Sequence, residues 1–168
     1  MKKRLKINGI IIALAVVILA VFPAVFLRVK RLSFQEELFK VFGVALILLG
    51  QLMRASARGY KSENSHSGVT LIIGGSYTVV RNPMYLGILL IGLGIVLMLF
   101  NWWAAGVFLA VFIIRYITLI IAEEKKLAAL FQEEYAKYCK KAPRLFLSLS
   151  TMLRLDISEY LPLKMIWI

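Results

Sequence analysis

The sequence predicts an all-α integral membrane protein, a helical bundle of about four transmembrane helices followed by an interfacial amphipathic helix. Hydrophobic residues make up 61% of its 168 residues, and these gather in apolar stretches close to the length that crosses a bilayer. The mean hydropathy of +0.81 is too high for an ordinary soluble domain. The length predicts a single membrane domain that covers residues 1–168.

The net charge of +12 indicates membrane topology and contact with anionic lipid. The basic residues flank apolar segments and do not form one polar face, which argues against a nucleic-acid partner. Cys139 is the only cysteine and His66 the only histidine, so neither an intrachain disulfide nor a metal site is predicted. Membrane lipids are therefore the expected surroundings.

Two spans are predicted in the first third of the chain. Residues 7–27 follow the basic start Met1–Arg4 and form an apolar run longer than a signal-peptide core, which favours a retained span. The second span covers about residues 38–53, where Gly43 and Gly50 leave room for close helix contact. The polar residues 54–80 are predicted to form a long connection.

The third and fourth spans, at residues 84–100 and 102–121, are predicted to form a tight hairpin, because Asn101 is the only polar residue between them. Their open ends must then lie on one side of the membrane. Basic residues surround those ends, so that side is expected to be the cytoplasmic side of the cell (inner) membrane. A multi-pass protein with its N-terminus inside follows.

Residues 122–141 are predicted to form an amphipathic helix at the membrane surface, ended by Pro143. Its apolar face has helical spacing and consists of Leu127, Leu130, Phe131, Tyr135 and Tyr138.

Polar residues stand close together at the start of the third span. Pro83 suits the first turn of a helix, Arg81 before it is able to hold an anion, and Tyr85 offers a hydroxyl group. The same residues also fit a plain helix start with a topology-determining arginine and an interfacial tyrosine. Both interpretations stay open for this stretch taken alone.

Two further features lie in the hairpin. Gly92 and Gly94 allow a ligand or another helix to approach the backbone of the third span. Glu123 and Glu124 end the fourth span, and carboxylates at membrane depth indicate a functional site. Neither glutamate has a basic residue at i+4, so both are expected to be available to a cationic ligand, although a solvated interfacial pair is the alternative.

Together these motifs resemble the isoprenylcysteine carboxyl methyltransferase family. The resemblance consists of Arg-x-Pro-x-Tyr-x-Gly from Arg81, then Glu-Glu-x-x-Leu-x-x-x-Phe-x-x-x-Tyr-x-x-Tyr from Glu123, then Pro143-Arg144. The related phospholipid methyltransferases share the Gly-x-Gly and the glutamate pair. The similarity covers about residues 75–146, and the order and spacing of its motifs are more specific than any one of them.

The resemblance implies a site for S-adenosylmethionine at the cytoplasmic membrane surface. The cofactor-binding residues carried over from it are Arg81, Asn82, Pro83, Tyr85, Gly92, Gly94, Glu123 and Glu124. Tyr135, Tyr138 and Arg144 would lie on the side of the methyl acceptor. The chain departs from the family where Asn82 replaces a customary histidine and Gln132 a customary glycine.

The expected acceptor is a lipid or a lipidated small molecule or protein. Methyl transfer from a sulfonium depends on positioning, and a carboxylate acceptor needs a cation, for which Arg144 and then Arg115 are the candidates. An amine acceptor must be neutral, and no histidine base stands near the motif. Isoprenylcysteine-type carboxyl methylation is therefore the predicted reaction, with phospholipid N-methylation as the alternative.

Two other classes remain open. Tyr135-x-x-Tyr138-Cys139 is also similar to membrane sterol reductases, which bind a nicotinamide cofactor, and basic residues lining the pocket would favour that class. A non-catalytic membrane protein is the other.

Overall fold

The computed structural model describes residue 27 and residues 34–65 and 70–145. These contain four α-helices, α1 (Phe34–Asn64), α2 (Ser76–Val79), α3 (Pro83–Leu99) and α4 (Trp102–Lys141), and no strands. The helical fold class is confirmed for this part of the chain. The predicted first span, residues 7–27, lies outside it apart from Leu27.

Two of these helices, α1 and α4, are long and apolar enough to cross a membrane, while α3 is apolar but has only 17 residues. Large apolar side chains are exposed along both long helices, for instance Val41 at 67% and Ile114 at 73%. Such a surface favours lipid rather than water as its surroundings.

Helix α1 is longer than the predicted second span. It continues from Arg54 to Asn64, where the sequence predicts a loop, so the connection to α2 is shorter than predicted. Ser56, Ala57 and Gly59 are buried along this extension, so tertiary packing stabilises a helix in a sequence whose polarity indicates a loop.

Close backbone contact joins α1 to α3. A Cβ atom built on Gly94 would lie 2.5 Å from the carbonyl oxygen of Gly43, and one built on Gly50 would lie 2.7 Å from that of Gly87. These two pairs run in opposite directions along the helices, so the helices are antiparallel. The predicted role of Gly43 and Gly50 in helix contact is confirmed, and Gly94 shares it.

The predicted hairpin is confirmed, since α3 ends at Leu99 and α4 begins at Trp102. Leu27 forms an isolated antiparallel bridge with Phe100 at its tip. Helix α4 covers both the fourth span and the predicted amphipathic helix, with no break at Ile121; a kink at Gln132 divides it instead. The residues after Ile121 are mostly strong helix formers, and none of them breaks the helix there.

The irregular point of α4 is Gln132, with φ 36° and ψ −108°. Beyond it, Tyr135 and Tyr138 are buried within the protein, whereas Leu130, before it, is exposed. The main core lies between the helices and consists of Met53, Val79, Val80, Leu86, Leu89, Phe112, Ile120 and Leu145.

Candidate functional site

The hairpin brings the start of α3 against the middle of α4. Pro83 is the first residue of α3, a position that needs no backbone N–H. In the same turn, the hydroxyl of Tyr85 donates a hydrogen bond of 2.8 Å to Oε1 of Glu123. The ring of Tyr85 packs at 5.5 Å from that of Tyr116 on α4. Two motifs that are 38 residues apart in sequence are therefore in contact.

Glu124 is the most connected carboxylate of this region. Its Oε2 accepts hydrogen bonds from Nη2 and Nε of Arg144, at 2.7 and 3.0 Å. Its Oε1 lies 3.5 Å from Nη1 of Arg81 and 3.4 Å from Nδ2 of Asn82. The residue is only 8% exposed. Glu124 has no basic residue at i+4, but distant parts of the chain supply its partners, so it is less available to a cationic ligand than the sequence predicts.

The charge of Glu124 also acts on Arg144. Hydrogen bonding to Glu124, together with its negative charge, raises the pKa of the Arg144 guanidinium above its ordinary value. Arg144 therefore remains a cation, and its fork geometry binds one carboxylate oxygen through two N–H groups. This ion pair attaches the segment after α4 to the middle of the same helix.

Two hydrogen bonds to backbone carbonyl oxygens complete that attachment. The amide of Arg81 donates to the carbonyl oxygen of Pro143 at 2.8 Å, and Nδ2 of Asn82 donates to the carbonyl oxygen of Arg144 at 3.0 Å. Nη1 of Arg81 also lies 2.8 Å from Sγ of Cys139. Residues 81–82 and 143–144 thus form one polar unit around Glu124.

The tyrosines at the end of α4 close the other side of this unit. The hydroxyl of Tyr138 donates to the carbonyl oxygen of Tyr77 at 2.6 Å, which connects α4 to α2. Burial, and secondarily the charge of Glu123, raises the pKa of Tyr77 to about 12. Tyr77 is therefore a neutral hydrogen-bond donor at physiological pH.

A cleft with two compartments lies beside the polar unit. The carboxylate compartment has a volume of about 330 Å³ and is lined by Lys61, Tyr77, Arg81, Asn82, Pro83, Met84, Tyr85, Ile88, Glu123 and Leu127. The smaller cationic compartment, of about 100 Å³, is lined by Lys61, Thr70, Leu71, Ile72, Tyr77, Arg81, Asn82, Leu127, Tyr135 and Tyr138. The larger volume is at the lower end of the range for ligand pockets, about 300–1,000 Å³.

Several of the predicted site residues meet in this cleft, namely Arg81, Asn82, Pro83, Tyr85, Glu123, Tyr135 and Tyr138. Gly92 and Gly94 do not line it: a Cβ atom on Gly92 would meet the ring of Phe108, and Gly94 packs on α1. Arg115 is an exposed residue of α4 that lines neither compartment.

Sequence reasoning did not identify Lys61, Tyr77 or Cys139 as parts of the site. Lys61 was assigned to a loop, and only the extension of α1 brings it to the cleft. The spacing of Tyr135, Tyr138 and Cys139 predicts that the three lie together, since positions i, i+3 and i+4 share one face of a helix.

Comparison with known families places the chain beside a group of membrane enzymes. The sequence model of the phospholipid methyltransferase family matches residues 38–134, more than half of the chain. The matched range includes α2, α3, the glutamate pair and most of α1 and α4. No curated protein and no solved structure matches the chain significantly.

Proposed function

Since the chain belongs to the phospholipid methyltransferase family, we propose that it is a membrane methyltransferase that uses S-adenosylmethionine to methylate a lipophilic acceptor. The observation that carries the proposal is the hydrogen bond between Tyr85 and Glu123. It joins the two halves of the motif at one wall of a cleft of ligand size. A plain anchor has no need for such a polar cleft between apolar helices.

The methyl donor fits the carboxylate compartment by its chemistry. S-adenosylmethionine carries an electrophilic methyl group on a sulfonium, together with an ammonium group and ribose hydroxyls. Glu123 is the exposed carboxylate in the wall, and it is suited to bind the ammonium group or the hydroxyls. Pro83 and Tyr85 supply the wall beside it. We assign the donor here rather than against Gly92 and Gly94, whose free faces are covered by Phe108 and α1.

Glu124 has a different role in this proposal. Its oxygens are taken by Arg144 and approached by Arg81 and Asn82, so it acts as a positioning residue that holds these groups around the cleft. Methyl transfer gains most of its rate from correct alignment of donor and acceptor. A rigid frame around Glu124 is one way to supply that alignment.

The acceptor is proposed to be lipophilic and to reach the site from the membrane, on the cytoplasmic side that the basic residues favour. Tyr135 and Tyr138 are the candidates for contact with it. A carboxylate acceptor remains a proposal, but Arg144 is already engaged by Glu124 and would have to exchange partners to hold it. The family match favours testing phospholipid amines alongside it.

The test is calorimetric titration of the detergent-purified protein with S-adenosylhomocysteine. We expect binding that Glu123→Gln weakens, while Glu133→Gln, an exposed residue beyond Gln132, leaves it unchanged. Absence of binding at millimolar ligand would refute the proposal. Transfer of labelled methyl groups to phosphatidylethanolamine or to an S-farnesylated cysteine derivative then identifies the acceptor.

One observation favours a second candidate. Lys61 and Arg81 both line the cleft, and two cations suit the phosphates of a nicotinamide dinucleotide, as in the sterol-reductase alternative. Titration with NADPH separates the two. Binding of NADPH tighter than that of S-adenosylhomocysteine would favour a reductase.

A further inference from the structure

The cationic compartment has a charge pattern that a site for a nucleoside alone does not need. Its wall contains Lys61 and Arg81 but no carboxylate, whereas the same two cations line the neighbouring carboxylate compartment together with Glu123. Apolar side chains such as Leu71 and Leu127 lie beside the two cations. A partly apolar surrounding strengthens attraction between charges, so this compartment favours a negatively charged group.

Both cations have hydrogen-bonding capacity left over. Lys61 is exposed and forms no ion pair with any described residue. Arg81 carries five N–H donors, and its contacts with Cys139 and Glu124 use only Nη1. Its Nε is buried and has no hydrogen-bond partner in the described part of the chain. An unsatisfied buried donor is costly, so a partner for this guanidinium is expected.

Tyrosine hydroxyl groups flank the same compartment. Tyr135 is 5% exposed. Its hydroxyl has no regular hydrogen-bond partner among the described residues. The thiol of Cys139 lies nearby but is only a weak partner. Donors surround a volume of about 100 Å³, a few times that of one water molecule. A carboxylate or a phosphate fits this volume, whereas a whole nucleoside does not.

We infer that this compartment is an oxyanion subsite, in which Lys61 and Arg81 bind a carboxylate or phosphate group of a ligand that also occupies the carboxylate compartment. The inference rests on the proposed function. The oxyanion has two possible sources, the α-carboxylate of the methyl donor or the phosphate of a lipid acceptor. Either way, the cleft binds positive groups at Glu123 and negative groups at Lys61.

The test uses Lys61→Gln, because this exposed side chain lies at the end of α1 and its loss leaves the core intact. The matched control is Lys137→Gln, a lysine that lines a different cleft. Calorimetry compares S-adenosylhomocysteine, which has the α-carboxylate, with 5′-methylthioadenosine, which lacks the amino-acid part. Methyl-transfer kinetics compare phosphatidylethanolamine with a long-chain amine that has no phosphate.

If the donor supplies the oxyanion, Lys61→Gln weakens binding of S-adenosylhomocysteine by about three- to tenfold and leaves 5′-methylthioadenosine unchanged. If the acceptor supplies it, both nucleosides bind as before and KM rises for phosphatidylethanolamine but not for the long-chain amine. Unchanged behaviour toward all four compounds, or equal weakening of both nucleosides, would overturn the subsite while the proposed function stands. Failure of the wild-type protein to bind either nucleoside refutes the proposed function itself.

Discussion

The two neighbouring glutamates provide the sharpest test of the site, because adjacent positions on one helix have opposite surroundings. Glu124 is 8% exposed and accepts two hydrogen bonds from Arg144, whereas Glu123 is exposed and accepts one from Tyr85. We therefore expect Glu124→Gln to destabilise the protein. Glu123→Gln is expected to weaken ligand binding with little effect on stability.

The size of each loss in stability depends on which hydrogen bonds the glutamine amide still makes after the substitution. A hydrogen bond to a charged group contributes about 1.5–3 kcal/mol, but the side chain of Arg144 is 45% exposed, so solvent screening reduces its share. The amide of Glu124→Gln keeps one acceptor and turns an N–H₂ group toward the donors of Arg81 or Arg144. A loss of about 2–3 kcal/mol in the free energy of unfolding results. At Glu123 the amide oxygen still accepts from Tyr85, and the expected loss is within about 0.5 kcal/mol.

Thermal unfolding in detergent, followed by tryptophan fluorescence without ligand, measures this difference. At about 2–4 °C per kcal/mol, the loss of about 2–3 kcal/mol in Glu124→Gln lowers the midpoint by about 4–12 °C. A double-mutant cycle with Arg144→Gln isolates the ion pair, with an expected coupling of about 1 kcal/mol or more, and the same cycle between Glu123 and Arg144 is the control. Equal midpoints for the two glutamate variants, or zero coupling between Glu124 and Arg144, would refute the reasoning.

Three further predictions concern the fold. Gln132 has φ 36° and ψ −108°, so Gln132→Gly is expected to raise the free energy of unfolding by about 1 kcal/mol, whereas Gln132→Ala gives no such gain in thermal unfolding. Gly94→Ala places a Cβ atom 2.5 Å from a backbone oxygen and should lower the free energy of unfolding by about 1–3 kcal/mol. In the control, Gly106→Ala, the added Cβ meets nothing within 4 Å, so that variant should be neutral or stabilising. A similar loss of stability in both variants would contradict the close packing of α1 on α3. Burial raises the pKa of Tyr77 from 10.0 to about 12, so its contribution to stability is complete below pH 10 and is lost as pH rises toward 12. Chemical denaturation across that range should show a shallower decline for Tyr77→Phe, and identical profiles would exclude the effect.

The hairpin shows how far sequence reasoning reaches. Asn101 is the only polar residue between the third and fourth apolar segments, so a tight turn is the simplest connection, and it places the residues around Pro83 beside the glutamate pair. The hydrogen bond between Tyr85 and Glu123 confirms that the two meet. Glycine spacing on α1 likewise predicted close helix contact, because only small residues permit it.

The partners of Glu124 could not be predicted in the same way. Local spacing tests only positions three and four residues away, and Arg144 is 20 residues further along the chain. Its approach depends on where α4 bends and on the residues after Pro143. The length of α1 could not be predicted for a similar reason, since the polarity of residues 54–64 indicates a loop, while burial of Ser56 and Ala57 maintains a helix.

Gln132 is a position that the sequence marks as unusual and whose bend depends on distant contacts. The resemblance to a known family drew attention to it as a glutamine where glycine is customary, and the structure gives it a positive φ that glycine adopts without strain. The bend that follows directs Tyr135 and Tyr138 inward and precedes the segment that carries Arg144. Because Glu124 accepts hydrogen bonds from that arginine, the ion pair opposes the strain at Gln132 and holds the segment on the cleft. The two substitutions are therefore coupled: with Gln132 present, loss of the ion pair lets the bend relax and recovers part of the strain, so Glu124→Gln should lower the free energy of unfolding at least as much in the Gln132→Gly background as in the wild type.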